Sequence, residues 1–327
     1  MRTLYRERAS LARAPAPAYQ QRVRDIAVVG SLNVDISVRV PRFVRPGETL
    51  RATGLTLGAG GKGVNQSIAA ARLGGRVHLV GRVGNDEFAE IPLGALRGSG
   101  VDVTHVETLV GERTGTALIT VDETTGQNQI AVAAGANAAV TVAHVRDALP
   151  VFRASGVLLV QLELPPETVD EALAIARAHH ARTVLDPAPA RELSDHTLAR
   201  IDVLTPNENE AELLTGVRIQ DVESAAHAGA RLQARSGGDV VVTLGEHGCV
   251  WVHATGFEHV PAPRVRALDT TGAGDAFNGG LAVALARGEP LSRALREAVR
   301  AGSAATLKKG AAAAMPSPSD LAALPVT

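Results

Sequence analysis

The sequence predicts an α/β protein with a mostly parallel sheet covered by helices on both faces. Strand-like and helical segments alternate along most of the chain. The first apolar run, Asp25–Gly30, reads as a buried strand that ends in glycine. Hydrophobic residues make up 45% of the 327, enough for a sizeable core in one large domain.

The elements follow in order. Arg76–Gly81 is a strand, and Asp86–Arg97 a helix with Asp86 as N-cap and Pro92 as a kink. Val157–Gln161 is a strand, followed by a helix over Pro166–His179 with prolines at its start. Thr183–Leu185 and Val203–Leu204 are short strands. Asn207–Leu214 and Val222–Ala234 are helices, and Asp239–Leu244 is a strand. Two long helices close the chain, Ala273–Ala286 and Leu291–Leu307. Two regions break the alternation. Ile36–Val40 with Leu50–Leu57, and Thr116–Val121 with Gln129–Ala133, are strand-like without helices between them. They predict a small second sheet of the kind that acts as a lid.

Composition removes several function classes. Aromatic residues are 2% of the chain, too few for base-stacking platforms, and the formal charge of −1 gives no general pull toward nucleic acid or anionic membrane. No apolar run reaches the length of a membrane span. A single cysteine, Cys249, excludes an internal disulfide and a cysteine metal cluster, in keeping with a reducing, cytoplasmic setting. Residues 1–24 are rich in Arg, Ala and Pro and lack the apolar core of a secretory signal. Serine is scarce for an organellar presequence. The segment reads as a disordered extension, or as a start placed upstream of Val23.

The most informative motif is Asp269-Thr270-Thr271-Gly272-Ala273-Gly274-Asp275, running into an apolar helix. Small residues at a helix N-terminus leave N–H groups free to bind phosphate. A carboxylate beside bound phosphate is repelled, so Asp275 makes sense as a base that takes a proton from an attacking hydroxyl. Gly30–Asp35 follows the first strand, at the rim where open α/β sheets bind ligands. In an extended segment Asn33 and Asp35 face one side together, a mix suited to adjacent hydroxyls. An Asn/Asp-stabilised turn is the competing reading.

Gly58–Gln66 is a glycine loop entering a helix. It fits the G-x-G-x-x-G pattern, but the first buried strand ended about thirty residues earlier and the acidic residue of a dinucleotide site is missing. Lys62 is followed by Gly63, which excludes a P-loop. A backbone that approaches a small ligand, with Lys62 and Asn65 aimed at it, stands beside a purely structural turn. Glu163 ends a strand at the same rim as Asn33 and Asp35; the alternative is a solvated loop acid. Asn207 and Glu210 have the spacing of a capping box, and also suit nucleotide phosphates and the water around Mg²⁺. Thr243–Gly248 ends a strand in a glycine turn that offers donors to a nucleotide. The histidines have no metal-ligand spacing.

In order along the chain, Gly30–Asp35, Gly60–Gln66, Ala134–Ala139, Gln161–Glu163, Asp186–Arg191, Thr205–Glu210, Thr243–Gly248 and Asp269–Gly280 resemble the ribokinase family of PfkB-type carbohydrate kinases. The resemblance spans about Asp25 to Pro316. It implies a three-layer α/β/α domain over residues 25–327, with a small β lid formed by about 36–57 and 114–134 whose pairing makes a homodimer. The implied reaction is phosphorylation of D-ribose at O5 by ATP. Asn33, Asp35, the Gly61–Asn65 loop (Gly61, Lys62, Gly63, Asn65) and Glu163 would bind the sugar. Asn207, Thr243, Gly245, Gly248 and Gly274 would contact ATP. Asp275 would be the base, in an anion hole of Gly272, Ala273, Gly274 and Asp275. Glu210 would support Mg²⁺ through water. A monovalent cation, usually K⁺, would lie against Asp269, Thr271 and the backbone near Ala305, Lys308 and Gly310. One departure touches that cation: where the family often supplies a Ser or Cys side chain, this chain has Ala314. A kinase for 2-deoxyribose, fructose or adenosine, and a non-catalytic sugar or nucleotide sensor, are the rival functions. An NAD(P)-dependent oxidoreductase, suggested by the glycine pattern, is a more distant one.

Overall fold

A computed structural model describes residues 23–325. The chain begins with strands Asp25–Val29 (β1), Asn33–Val40 (β2) and Gly54–Gly60 (β3), then helix Lys62–Arg72 (α1). Val77–Gly84 (β4), Glu90–Gly98 (α2), Asp102–Leu109 (β5), Gly115–Asp122 (β6) and Asn128–Ala133 (β7) follow. Next come Val142–Asp147 (α3), Leu149–Ala154 (α4), Ser155–Gln161 (β8), Pro166–Ala178 (α5), Arg182–Asp186 (β9) and Asp195–Leu198 (α6). Val203–Leu204 (β10), Glu208–Thr215 (α7), Val222–Ser236 (α8), Asp239–Thr243 (β11), Cys249–His253 (β12) and Gly256–Val260 (β13) lead to the closing helices Ala273–Ala286 (α9), Leu291–Ala305 (α10) and Pro318–Ala322 (α11).

The main sheet has nine strands in the order β13-β12-β11-β10-β9-β8-β1-β4-β5. It is parallel from β11 to β5, and β12 and β13 add an antiparallel edge. Alternate strand residues fill two cores. Ile26, Val28, Leu79 and Leu159 face α1, α2, α9 and α10, while Ala27, Val29, Leu158 and Val160 face the opposite helices. Three layers therefore form, as expected. Helix α9 is buried nearly all round. Gly279 sits where an added Cβ would meet the Ala69 Cβ of α1 at 2.5 Å, so small residues let α9 and α1 approach closely within one helical layer.

The second sheet has four strands in the order β3-β2-β6-β7. Its register sets two faces. Asn33, Asp35, Ser37 and Arg39 point one way, and Val34, Ile36 and Val38 the other, with Leu55 and Leu57 of β3 and Leu118 of β6 paired beside them.

Some boundaries differ from expectation. Strand β3 continues through Gly58-Ala59-Gly60, which had read as the start of a glycine loop, because these residues pair with Asp35, Val34 and Asn33. The glycine at 60 leaves room for the Asp35 side chain, whose oxygen would lie 2.0 Å from an added Cβ. Asp86 does not cap α2. Its carboxylate accepts from the Phe88 N–H at 3.3 Å, in the turn before the helix, and from the Thr114 N–H and hydroxyl, and the helix starts at Glu90. Pro92 falls in the first turn, where a missing N–H costs nothing, so it produces no kink. The sequence predicts no strand at β5, β12 or β13: β5 and β13 lie at the two sheet edges, where polar residues interrupt the apolar pattern, and β12 is a five-residue strand between β13 and β11. The N-terminal extension lies outside the described residues except for Val23 and Arg24. From Arg24 the chain is tied to the domain, its N–H bonded to the Ala286 carbonyl and its guanidinium to that of Ser155.

Candidate active site

The carboxyl ends of β1, β8, β9, β10 and β11 share one rim, and the candidate residues line up along it. The segment after β1 brings Ser31, Asn33 and Asp35. Strand β8 delivers Gln161 and Glu163, β9 ends at Asp186, and β10 leads to Thr205 and Asn207, next to Thr243 of β11.

At one end, Glu163 accepts a hydrogen bond from the Ser31 hydroxyl and another from the Lys62 backbone N–H at 3.3 Å. Asn33 is buried, and its side-chain oxygen accepts from the Asn137 amide at 2.7 Å. Asn137 also exchanges hydrogen bonds with the backbone of Leu32, at 2.9 and 3.2 Å, so it clamps the turn that carries Asn33. Gly61 precedes α1 at φ 87°. Gly63 packs against Gly30 so closely that an added Cβ would lie 2.5 Å from the Gly30 carbonyl carbon.

Asp275 lies in the first turn of α9 and is 6% exposed. One of its oxygens accepts from the Asn65 amide at 2.8 Å, the other from the Gln66 amide at 3.0 Å. The Lys62 ammonium is 3.9 Å from Asp275 and 3.3 Å from Asp186. The α9 N-cap is Gly272 in the left-handed region, φ 77°, where a side chain is disfavoured and would also press on Met315. Among the described residues, the N–H groups of Gly272, Gly274 and Asp275 make no hydrogen bond, while that of Ala273 donates to the Thr270 carbonyl at 3.2 Å. Three donors are thus left at a positive helix end.

At the other end, Asn207 and Glu210 do form a capping box, at 2.9 and 2.8 Å. Glu210 is also close enough to raise Asp186 and to favour the charged form of Lys62, so cap and site coincide. Thr243 bridges Asn207, and Gly245 and Gly248 shape the following turn at φ 52° and 90°. Asp269 accepts from the Thr271 N–H and hydroxyl at 3.0 and 2.7 Å and from the Gly310 N–H at 2.9 Å. The segment after α10 is thereby drawn to it, with the Ala305 carbonyl at its start. The Lys308 side chain turns away to Asp320 at 2.7 Å, and Ala314 is buried. The hydrogen bonds from Gly310 and Thr271, with the nearby charge of Arg39, outweigh burial and hold the Asp269 carboxyl below its usual range.

The cleft carries excess negative charge. Burial, then Glu163 and Asp275, push Asp35 up from 3.8 to about 6. Burial pushes Asp186 to about 7, with Asp275 and Glu210 adding and Lys62 opposing. Burial works against the Lys62 charge, but Asp186, Asp275, Glu163 and Glu210 overcome it and raise its pKa. The Asp35 shift predicts a pH effect. Its folded form holds a proton that the unfolded chain has lost between about pH 4 and pH 6, so stability falls as pH rises through that window. Asp35→Asn should raise the apo Tm above about pH 6, with the gain vanishing near pH 4, while sugar binding weakens. Thermal scans across pH check this; an equal gain at both ends contradicts it.

Sequence reasoning assigned no individual role to Ser31, Gln66, Asn137, Gln161 and Asp186. The last four are buried polar residues in apolar or small-residue stretches, which is the signal that marks them.

Residues 23–318 match the pfkB family carbohydrate kinases. The chain is 40% identical over 294 residues to a ribokinase of Haemophilus influenzae, across 90% of this chain and 95% of that one. It is 35% identical over 294 residues to a deoxyribokinase of Salmonella typhi, across 90% and 96%. The structure of Arabidopsis thaliana ribokinase complexed with ribose and ATP aligns with a TM-score of 0.85 at 32% identity, covering 91% of this chain and 97% of that one. A shared fold, an ordered motif set and this extent of identity lead to one conclusion: the chain belongs to the pfkB family of carbohydrate kinases.

Proposed function

We propose that this protein is a ribokinase, transferring the γ-phosphoryl group of ATP to O5 of D-ribose to give D-ribose 5-phosphate and ADP. One observation carries the reading: the buried Asp275 carboxylate stands between the Asn65 and Lys62 loop and the free N–H groups of Gly272 and Gly274. A base and an anion hole are therefore adjacent, which is what transfer to an alcohol needs. Ribose would lie against Asn33, Asp35, Gly61–Asn65 and Glu163, its O5 toward Asp275. Asp275 accepts the O5 proton as O5 attacks phosphorus, and the bond to the ADP oxygen breaks. The N–H groups of Gly272, Gly274 and Asp275 hold the transferring group. Asn207, Thr243, Gly245 and Gly248 would line the nucleotide.

ATP-dependent kinases of this family work with a divalent metal such as Mg²⁺. The residues fit one: the carboxylates of Glu210 and Asp186, near enough to act on each other, offer the hard oxygens such an ion takes. Bound there with the phosphates, the ion would neutralise charge that this acidic cleft would otherwise repel. A K⁺ ion held by Asp269, Thr271 and the Ala305–Gly310 backbone is part of the same reading, supported by the contact between those two segments. Activity is expected to rise with K⁺ and less with Na⁺, with Ala314, which supplies no side-chain ligand, weakening the affinity or the selectivity. Titration with each salt checks this, and no dependence on either removes the cation.

The apolar face of the small sheet exposes Leu55, Leu57 and Leu118 by 61%, 49% and 55%. This supports a homodimer through paired lid sheets, with residues 36–57 and 114–134 covering the sugar. A cytoplasmic setting accords with the single, buried Cys249, and among the described residues no helix is long and apolar enough to cross a membrane. The deoxyribokinase relative makes 2-deoxyribose the rival acceptor. A coupled ADP assay with ATP and Mg²⁺ over ribose, 2-deoxyribose, fructose and adenosine tests the proposal. The highest kcat/KM for ribose supports it; a higher value for another acceptor replaces ribose, and sugar binding without ADP means a sensor.

A further inference from the structure

Gln66 takes no part in the sugar or nucleotide contacts above, yet it is fully buried at the centre of the cleft. Its side-chain nitrogen donates to Asp186 at 2.8 Å and to Asp275 at 3.0 Å, and its oxygen accepts from the Gln161 nitrogen at 2.6 Å. We infer that Gln66, backed by Gln161, is a positioning residue that ties the base Asp275 to Asp186 and sets the direction of its carboxylate. The inference rests on the reading of Asp275 as base.

The geometry leaves the amide one useful orientation. A base must accept, so the group facing Asp275 must donate, and the NH₂ of glutamine does so while its second hydrogen reaches Asp186. Turned over, Gln66 would aim its oxygen at two carboxylates. Gln161 holds the other end, and the arrangement has a cost. The Gln161 side-chain oxygen is buried without a partner, beside the Gly30 Cα, where an added Cβ would approach it to 2.4 Å. A buried unpaired carbonyl disfavours the fold. Turning Gln161 over would not repair this, because it would set its oxygen against that of Gln66 and leave two donors unpaired. The chain Gln161–Gln66–Asp186/Asp275 is thus directional, with the carboxylates fixing its sense.

Asn65 grips the second oxygen of Asp275. With Gln66 on the first, both oxygens are held by consecutive residues of α1, and the carboxylate plane cannot turn. The lone pairs left over would be the ones offered to the sugar alcohol. A base fixed in this way needs no reorientation when the alcohol arrives.

Gln66→Met keeps volume and removes the donor. It should lower kcat by about tenfold to a hundredfold while the KM values for ribose and ATP and the ribose-binding stoichiometry change little. Gln161→Met, which does not touch Asp275, should lower kcat in the same direction by about three- to tenfold, and it carries the test alone if the first variant does not fold. Steady-state kinetics with thermal scans and ribose calorimetry read both. Unchanged kcat in the folded variants overturns the inference. So does a kcat that falls only in proportion to the loss of binding-competent protein, because that is a packing effect. Asp275→Asn run alongside separates the two claims. If it loses turnover while Gln66→Met and Gln161→Met keep it, only the inference fails; if it keeps turnover, the base reading fails and the inference with it.

Discussion

Asp275→Asn should lose about two to four decades of kcat while the protein still folds and binds ribose. Asparagine matches aspartate in size, so the first turn of α9 and its packing persist. It cannot accept the alcohol proton at neutral pH. One of its two ends also becomes a donor, and that end faces either the Asn65 or the Gln66 amide, both of which donate. The hydrogen-bonded grip on this position is therefore halved, a loss of about 1 kcal/mol that falls on stability rather than on sugar affinity. Calorimetry with ribose and a coupled ADP assay separate the two effects. Wild-type turnover in a folded Asp275→Asn variant would remove the base from the mechanism.

Gly63→Ala should lower kcat/KM for ribose by about a hundredfold, the expected result of displacing a positioned loop by about 1 Å. The reason is backbone against backbone. The new Cβ would sit 2.5 Å from the Gly30 carbonyl carbon and 2.6 Å from the Ser31 nitrogen, and neither can rotate away. The start of α1 must then move off the strand-end turn. Lys62 and Asn65 move with it, and the Gly63 N–H pulls away from the Ser31 hydroxyl that anchors Glu163. A stability loss of about 1–3 kcal/mol accompanies the shift. Kinetics and denaturant melts measure both; a variant with unchanged kcat/KM would show that this close approach has no bearing on the sugar side.

Much of this architecture was legible because its signals are local. Buried parallel strands read as unbroken runs of Val, Leu and Ile, and a capping box at Asn207–Glu210 has a fixed spacing. The edge strands β5 and β13 carry no such run, since water covers part of them, and pairing partners far along the chain decide their conformation. In the site, a free helix N-terminus could be read from Gly272–Asp275, but the capture of the Ala273 N–H by Thr270 could not, because a turn geometry decides it. Gln66 and Asp186 escaped for a related reason. They meet only when α1 and the end of β9 fold together, 120 residues apart. Asn137 likewise reaches back 104 residues to Asn33. Buried polar residues announce that a partner exists, without naming it.

The most direct measurement is a crystal structure with ribose and a non-hydrolysable ATP analogue bound together. An Asp275 oxygen is expected within hydrogen-bond reach of ribose O5, about 2.6–3.2 Å, and the terminal phosphate against the N–H groups of Gly272, Gly274 and Asp275. An Asp275 carboxylate beyond reach of the primary alcohol, with both ligands seated and the small sheet folded over the sugar, would contradict it.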